Sequence, residues 1–212
     1  INPIGAAENS GINRAETPTL SLRFGLNAEL FKNFIIEASY NSRSSFTEAY
    51  VARGTYRSFN PNPATNEYLF AQDIGDSTLS YTNNRTNINQ YNASANYSFT
   101  IKKDHQFKVQ AGFQSLDNFT SSIGASRQGL QNPDRPYLNL ATSALQPTVS
   151  GSATDFSIAG FFGRLNYSFA NKYLFEFTGR YDGSSRFSQL LNKQWGFFPG
   201  ASAGWVISNE NF

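Results

Sequence analysis

The chain has 212 residues, of which 17 are Lys or Arg and 15 are Asp or Glu, for a net charge of +2 and a charged fraction of only 15%. That charge and the absence of any Lys/Arg run give no case for nucleic acid as a partner. The absence of Cys excludes a disulfide framework and a thiolate metal site.

Soluble domains are typically about 25% charged. Here aromatics reach 16%, with 20 Phe and 11 Tyr, while mean hydropathy is −0.44. A chain both aromatic-rich and polar has sorted its residues onto two faces. No window approaches the ~18 consecutive apolar residues of a membrane helix. A transmembrane β-barrel stays open, because only alternate residues need be apolar there.

Residues 1–18 hold Gly, Asn and Pro without a period and are expected to end a loop. The chain opens Ile1-Asn2-Pro3 with no signal-peptide character, so we expect its N-terminus to be internal to a longer protein or processed. Thr19 to Phe31 then alternates strictly, with Leu20, Leu22, Phe24, Leu26, Ala28 and Leu30 on one face and Ser21, Arg23, Gly25, Asn27 and Glu29 on the other. Such a period of two predicts a strand with one apolar face. Phe31-Lys32-Asn33 turns into a second strand with Phe34, Ile36, Ala38 and Tyr40 on its apolar face. Ser42 to about Arg85 is expected as a long polar loop. A third strand presents Tyr91, Ala93, Ala95, Tyr97 and Phe99, and a short charged connection, Thr100 to Gln106, leads to a fourth with Phe107, Val109, Ala111 and Phe113. A second long loop covers about Ser115 to Asp155.

The fifth and sixth strands form the clearest hairpin. Phe161, Gly163, Leu165, Tyr167 and Phe169 alternate with Phe162, Arg164, Asn166 and Ser168. After Ala170-Asn171-Lys172, Tyr173, Phe175, Phe177, Gly179 and Tyr181 alternate with Glu176, Thr178, Arg180 and Asp182. A three-residue loop places Phe169 opposite Tyr173 and Arg164 opposite Thr178. A medium loop, Gly183 to Gln194, precedes a seventh strand with Trp195, Phe197, Ala201, Ala203, Trp205 and Ile207 on one face.

Short and long connections alternate, as periplasmic turns and extracellular loops do in outer-membrane barrels. Leu20 to Leu30 has the ~9–11 residues of a tilted membrane strand. Aromatics mark both strand ends, with Phe31, Phe34, Phe99, Phe107, Phe169, Tyr173 and Trp205 toward the short turns and Tyr40, Phe113, Tyr181 and Trp195 toward the long loops. Two such girdles are expected where rings meet lipid headgroups. The fold expected is all-β: an antiparallel transmembrane β-barrel segment of about seven strands, open at two edges that strands from elsewhere must close.

The segment Phe161 to Phe212 contains NYSFxNKYL at 166–174, RxDGSSRF at 180–187 and WGFFPxxSAxWxIS at 195–208. In order and spacing it resembles the barrel of the SusC/RagA family, TonB-linked outer-membrane transporters of Bacteroidetes. The resemblance implies a piece of a barrel of roughly 22 strands, whose lumen is plugged by a domain absent from these residues. It also implies energy from the TonB complex and a SusD-like surface lipoprotein as lid. Import of oligosaccharides or peptides, across the outer membrane of a bacterial cell, is the function it points to.

No catalytic constellation emerges and no cofactor is expected. His105, the one histidine, is expected in a solvated turn beside Lys103 and Asp104. Asp182-Gly-Ser-Ser has neither a nucleophile-elbow nor a P-loop form, and Asp73 and Asp76 lack the EF-hand spacing. Two groups of residues are candidates for binding. Arg164, Asn166, Glu176, Thr178 and Arg180 share the polar face of one hairpin, either as a lumen-lining network that holds the wall or as a contact for plug or solute. Tyr50, Tyr56, Phe59 and Tyr68 either stack on sugar or peptide ligands or pack within the first long loop. Two other functions compete: a barrel serving as adhesin or secretion component, and a soluble β-sandwich that binds proteins.

Overall fold

The computed structural model describes residues 11–142, 144–187 and 194–210. Its strands are β1 (Ile12–Glu16), β2 (Thr19–Phe31), β3 (Phe34–Arg53), β4 (Tyr56–Asn62), β5 (Glu67–Ile74), β6 (Thr78–Ile101), β7 (His105–Gln128), β8 (Thr148–Phe169), β9 (Tyr173–Ser184) and β10 (Trp195–Trp205). Eight form one sheet in the order β1-β3-β6-β7-β8-β9-β10, with β2 also on β3, while β4 and β5 pair as a separate two-stranded sheet. Pro18, which has no N–H to give a ladder, separates β1 from β2. The two are successive pieces of one edge, so the sheet has the seven strand positions that alternation predicts. Residues 12–16, expected as loop, are strand. No helix among the described residues is long and apolar enough to cross a membrane, which says nothing of crossing by strands.

The hairpin register is as expected, with Phe169 opposite Tyr173 and Arg164 opposite Thr178. Lys172 N–H donates to the Phe169 carbonyl at 2.9 Å, with Ala170 and Asn171 both left-handed at φ 51° and 56°. Positive φ at both central residues matches the turn twist to that of the strands. The charged turn is tighter than expected. Lys102 and Lys103 take φ 50° and 62°, while Thr100, Ile101, His105 and Gln106 are strand.

The larger correction concerns strand length. β3, β6, β7 and β8 have 20, 24, 24 and 22 residues. Most of the expected loop Ser42 to Arg85 is therefore strand: β3 to Arg53, the β4–β5 hairpin, and β6 from Thr78. In the second, Ser115 to Asp155, only 129–147 lies outside β7 and β8. The apolar alternation ends near Tyr40, Tyr91 and Phe113, but the backbone ladder continues through Ser, Thr and Asn. A search for apolar period two sees only the part of a strand that has an apolar face. Ile207, placed on the last strand, lies in a 3-10 turn, Ile207–Asn209. In the loop Gly183 to Gln194, residues 188–193 lie outside the described residues.

The chain divides into two compact units. One comprises residues 1–19, 45–86 and 120–154. It holds a small hydrophobic core of Ala52, Leu79 and Leu130, against which Tyr50, Tyr81 and Leu138 pack. The other comprises residues 20–44, 87–119 and 155–212. It has no buried apolar side chain among its described residues. Phe24, near the middle of β2, is 63% exposed.

Candidate functional site

In the second unit the apolar face is bounded by two rows of rings. At the short-turn end Phe31 stacks on Phe34 at 4.7 Å, Phe99 on Phe107 at 5.0 Å, and Phe107 on Tyr167 at 4.8 Å. Further along the strands Tyr40 meets Tyr91 at 5.0 Å, Phe113 meets Phe161 at 5.1 Å, and Tyr181 meets Trp195 at 5.0 Å. Tyr91 and Phe99 are eight positions apart on β6, about 27 Å along a strand. A tilt of ~40° reduces that to about 21 Å, close to the ~25 Å apolar band of a membrane barrel. Beyond the second row the same face turns polar. Tyr40 and Ser42 hydroxyls donate to Asn89 Oδ1 at 2.9 Å, and Ser44 donates to Asn87 at 2.9 Å.

His105 opens β7 and is half-buried, not a solvated turn residue. Its Nδ1 lies 2.7 Å from Tyr167 Oη, and its ring is 4.9 Å from that of Phe169. It belongs to the first aromatic row.

The opposite face carries all five residues singled out on the β8–β9 hairpin. Arg164 Nε lies 3.7 Å from Glu176 Oε2, its diagonal neighbour across the ladder. Asn166 stands opposite Glu176. Its Oδ1 is shielded from solvent and has no hydrogen-bond partner among the described residues. Arg180 forks onto Asp182 with Nε–Oδ2 at 3.0 Å and Nη2–Oδ1 at 2.9 Å, and Nη2 also reaches Gln114 Oε1 at 3.4 Å. Phe162, Phe198, Gln110 and Gln114 share this face; alternation puts Phe162 there, but none of the four was singled out as a candidate. The available signal was two rings at even positions among polar residues and glycines.

The four aromatics of the expected first loop are not one cluster. Tyr50 is on β3, with its ring 5.5 Å from Tyr81 beside the small core. Tyr56 begins β4 opposite Ile74. Phe59 faces Phe70 across the β4–β5 hairpin with ring centroids 6.2 Å apart. Tyr68, opposite Pro61, is 74% exposed. Asp73 stands opposite Arg57, at 3.9 Å.

Beyond β10 a third cluster forms at the β8–β9 turn. Lys172 Nζ, Tyr173 Oη and Trp205 Nε1 all donate to the Glu210 carboxylate, at 2.8, 3.0 and 3.1 Å. These donors, Lys172 foremost, hold the carboxyl below the ordinary carboxylate range. Asn209 adds a bond to the Asn171 carbonyl at 2.8 Å.

A single-layer sheet with an exposed apolar face, ringed at two levels and backed by a polar face, is the wall of a membrane barrel. Residues 2–211 match the family described as TonB dependent receptor-like, beta-barrel. The chain belongs to that family.

Within it the likeness is to the SusC/RagA type. TonB-dependent receptor SusC of Bacteroides thetaiotaomicron is 55% identical over 60 residues, 28% of this chain and 6% of that protein. TonB-dependent receptor P26 of Formosa agariphila is 30% identical over 194 residues, 87% of this chain and 19% of that protein. A solved structure of the RagAB peptide importer in its "open-open" state superimposes with a TM-score of 0.79 at 18% identity, covering 94% of this chain and 20% of that one. The chain thus spans about one fifth or less of the length of these relatives. It is an antiparallel transmembrane β-barrel segment, and the soluble sandwich is set aside. A sandwich buries its apolar face against a second sheet, and here that face is open.

Proposed function

We propose that these residues form part of the wall and rim of a TonB-dependent outer-membrane importer, with the plug and remaining strands supplied by a longer protein. The observation that carries this is the apolar face bounded by two aromatic rows on a chain of the TonB-dependent receptor family. The relatives are receptors and importers rather than enzymes, and the segment's role is passage rather than chemistry. Cargo is an oligosaccharide or a peptide, taken together with a SusD-like surface lipoprotein and driven by the TonB complex through parts outside this chain. The short turns face the periplasm and the β4–β5 hairpin faces outside. Arg164, Asn166, Glu176, Thr178 and Arg180 line the lumen, and Tyr50, Tyr56, Phe59 and Tyr68 serve capture at the rim.

Deleting 57–73 and bridging the gap with Gly-Ser tests the rim. The account expects a barrel that still shows its heat-dependent gel shift while uptake falls, because surface segments tolerate length change at small entropic cost. A folded barrel with undiminished uptake removes the hairpin from the functional account. Orientation is tested by single cysteines, since the segment has none of its own. Cys at Asn62 or Ser126 should react with an impermeant thiol reagent on intact cells, and Cys at Asn33, Lys102 or Asn171 should not. The adhesin alternative predicts that deletion of the whole protein impairs attachment and leaves uptake intact.

A further inference from the structure

The two ends of the apolar face are flanked by different charges. Beyond the far aromatic row its parity continues through Ser42, Ser44, Asn87, Asn89, Asp117 and Asp155. Those residues offer hydroxyls, amides and carboxylates. Beyond the near row the chain enters the short turns, and these carry Lys32, Lys102, Lys103 and Lys172. Among the described residues the one other lysine, Lys108, lies near the start of β7 on its polar face. The arginines stand further along the strands or in the long connections.

Turn preference does not explain the Lys102–Lys103 pair. Both residues are left-handed, at φ 50° and 62°, where Gly, Asn and Asp are the usual residues. A residue type kept against its backbone preference points to a task for its side chain. Neither lysine, nor Lys32, has an ion pair among the described residues, whereas Lys172 is matched by Glu210 at 2.8 Å. Glu29 lies on the polar parity of β2 and accepts the Asn33 N–H at 2.9 Å. Asp104 is then the one turn carboxylate set against three unmatched ammonium groups.

The turns are also fixed in place. Ser98 N–H donates to the Asn33 carbonyl at 3.1 Å and Ala170 N–H to the Asp104 carbonyl at 2.8 Å. Gln106 Nε2 donates to Asn171 Oδ1 at 2.9 Å. Strands β6 and β7 have partners on both sides within the sheet, so the Lys102–Lys103 turn is not at an edge that further strands would cover. Immediately inside it runs an unbroken line of rings, Phe31, Phe34, Tyr97, Phe99, Phe107 and Tyr167, with successive centroids 4.7 to 6.0 Å apart.

Rings settle at headgroup level, and lysine stems lie along apolar surface while the ammonium stays in the polar layer. Unmatched cations at that level attract lipid phosphate. We propose that Lys32, Lys102 and Lys103 form a rim that binds the phosphates of anionic glycerophospholipids in the periplasmic leaflet, with the acyl chains against the line of rings. The rim rests on the wall reading and on the short turns facing the periplasm, and adds a lipid class to them.

The test reconstitutes the full-length protein in vesicles of equal phosphatidylglycerol and phosphatidylcholine, extracts it in neutral detergent and counts the retained lipids by native mass spectrometry. Phosphatidylglycerol should be retained in excess, and high salt should shrink the excess. The triple variant Lys32→Gln, Lys102→Gln, Lys103→Gln should lose it, at up to about fivefold per lysine, and the corresponding triple Lys→Arg variant should keep it. Equal retention of the two lipids by wild type overturns the rim, as does an excess unchanged in the Gln variant. An excess that millimolar inorganic phosphate removes makes the turns a free-anion site and overturns it too. If the triple Gln variant loses its heat-dependent gel shift, Lys102→Gln and Lys103→Gln singly are judged by the same comparison. Failure of the wild type to enter vesicles sinks the wall reading, and Lys102→Cys reacting with an impermeant thiol reagent on intact cells sinks the periplasmic placement. A correctly oriented wall without lipid preference sinks the rim alone.

Discussion

The two compact units use apolar residues in opposite ways. In the unit built from 1–19, 45–86 and 120–154, Leu79 and Ala52 are fully buried and Leu130 nearly so. There, water drives apolar groups together, as in any soluble protein. In the unit built from 20–44, 87–119 and 155–212, Leu20, Phe24, Leu26, Phe161, Phe177 and Phe197 are all exposed. A face of that extent is stable only where the surrounding medium is itself apolar. One polypeptide thus obeys two solvents, and within the second unit the face itself changes along a strand: β6 is apolar at Tyr91 to Phe99 and hydrogen-bonded and polar at Asn87 and Asn89.

The sharpest way to break this contrast is to damage each unit by its own rule. Leu79→Ala should cost about 2–5 kcal/mol, as cavities in a packed core do. Its effect should be read as faster hydrogen exchange in 45–53, 78–86 and 120–130, with the barrel's heat-dependent gel shift preserved. Phe24→Arg should cost about 2–4 kcal/mol in refolding into bilayers, because it places a charge in lipid. Ser21→Arg and Asn27→Arg, on the polar parity of the same strand, should be far milder. Equal tolerance on both faces would remove lipid from the account.

The Glu210 clasp offers a finer test. A carboxyl held below its ordinary value adds stability above the unfolded pKa of ~4.3 and loses it as pH falls through the folded one. Glu210→Gln should therefore speed exchange in 170–173 and 206–210 at neutral pH. Wild type and variant should converge below pH ~4. A difference that persists in acid would show that the segment is held by something other than the ionised carboxylate. The smallest expected effect is at the turn, where Ala170 sits at φ 51°. Ala170→Gly should stabilise by about 1 kcal/mol in a chemical denaturation series, since only glycine takes that backbone without a Cβ penalty.

These tests follow the line along which the sequence was legible. Where a strand has one apolar and one polar face, period two located it and the hairpin register followed, down to Arg164 opposite Thr178. Where apolar residues are sparse and fall on both parities, as from Ser42 to Arg53 with Phe46, Ala49, Tyr50 and Val51 or from Ser115 to Gln128 with Leu116, Phe119 and Ile123, alternation carries no signal and strand was taken for loop. The polar residues that share one face of the β8–β9 hairpin were visible as residues of one parity. Phe162 fell on that face by alternation and Phe198 shares its parity, but neither was singled out, because a rule that assigns rings to the lipid face gives no role to rings on the other. The Glu210 clasp joins residues 38 apart and has no local pattern at all.

The central claim is that successive residues of one strand meet lipid and water in turn, and site-directed spin labelling over Leu20 to Leu30 tests it most directly. Single cysteines along that stretch, in a protein whose segment has no native Cys, would be labelled in bilayers and their collision rates measured with oxygen and with a water-soluble nickel chelate. The account predicts a strict period of two. Labels at Leu22, Phe24, Leu26 and Ala28 should favour oxygen, and labels at Ser21, Arg23, Asn27 and Glu29 should favour nickel. Uniform nickel access along the strand would contradict it.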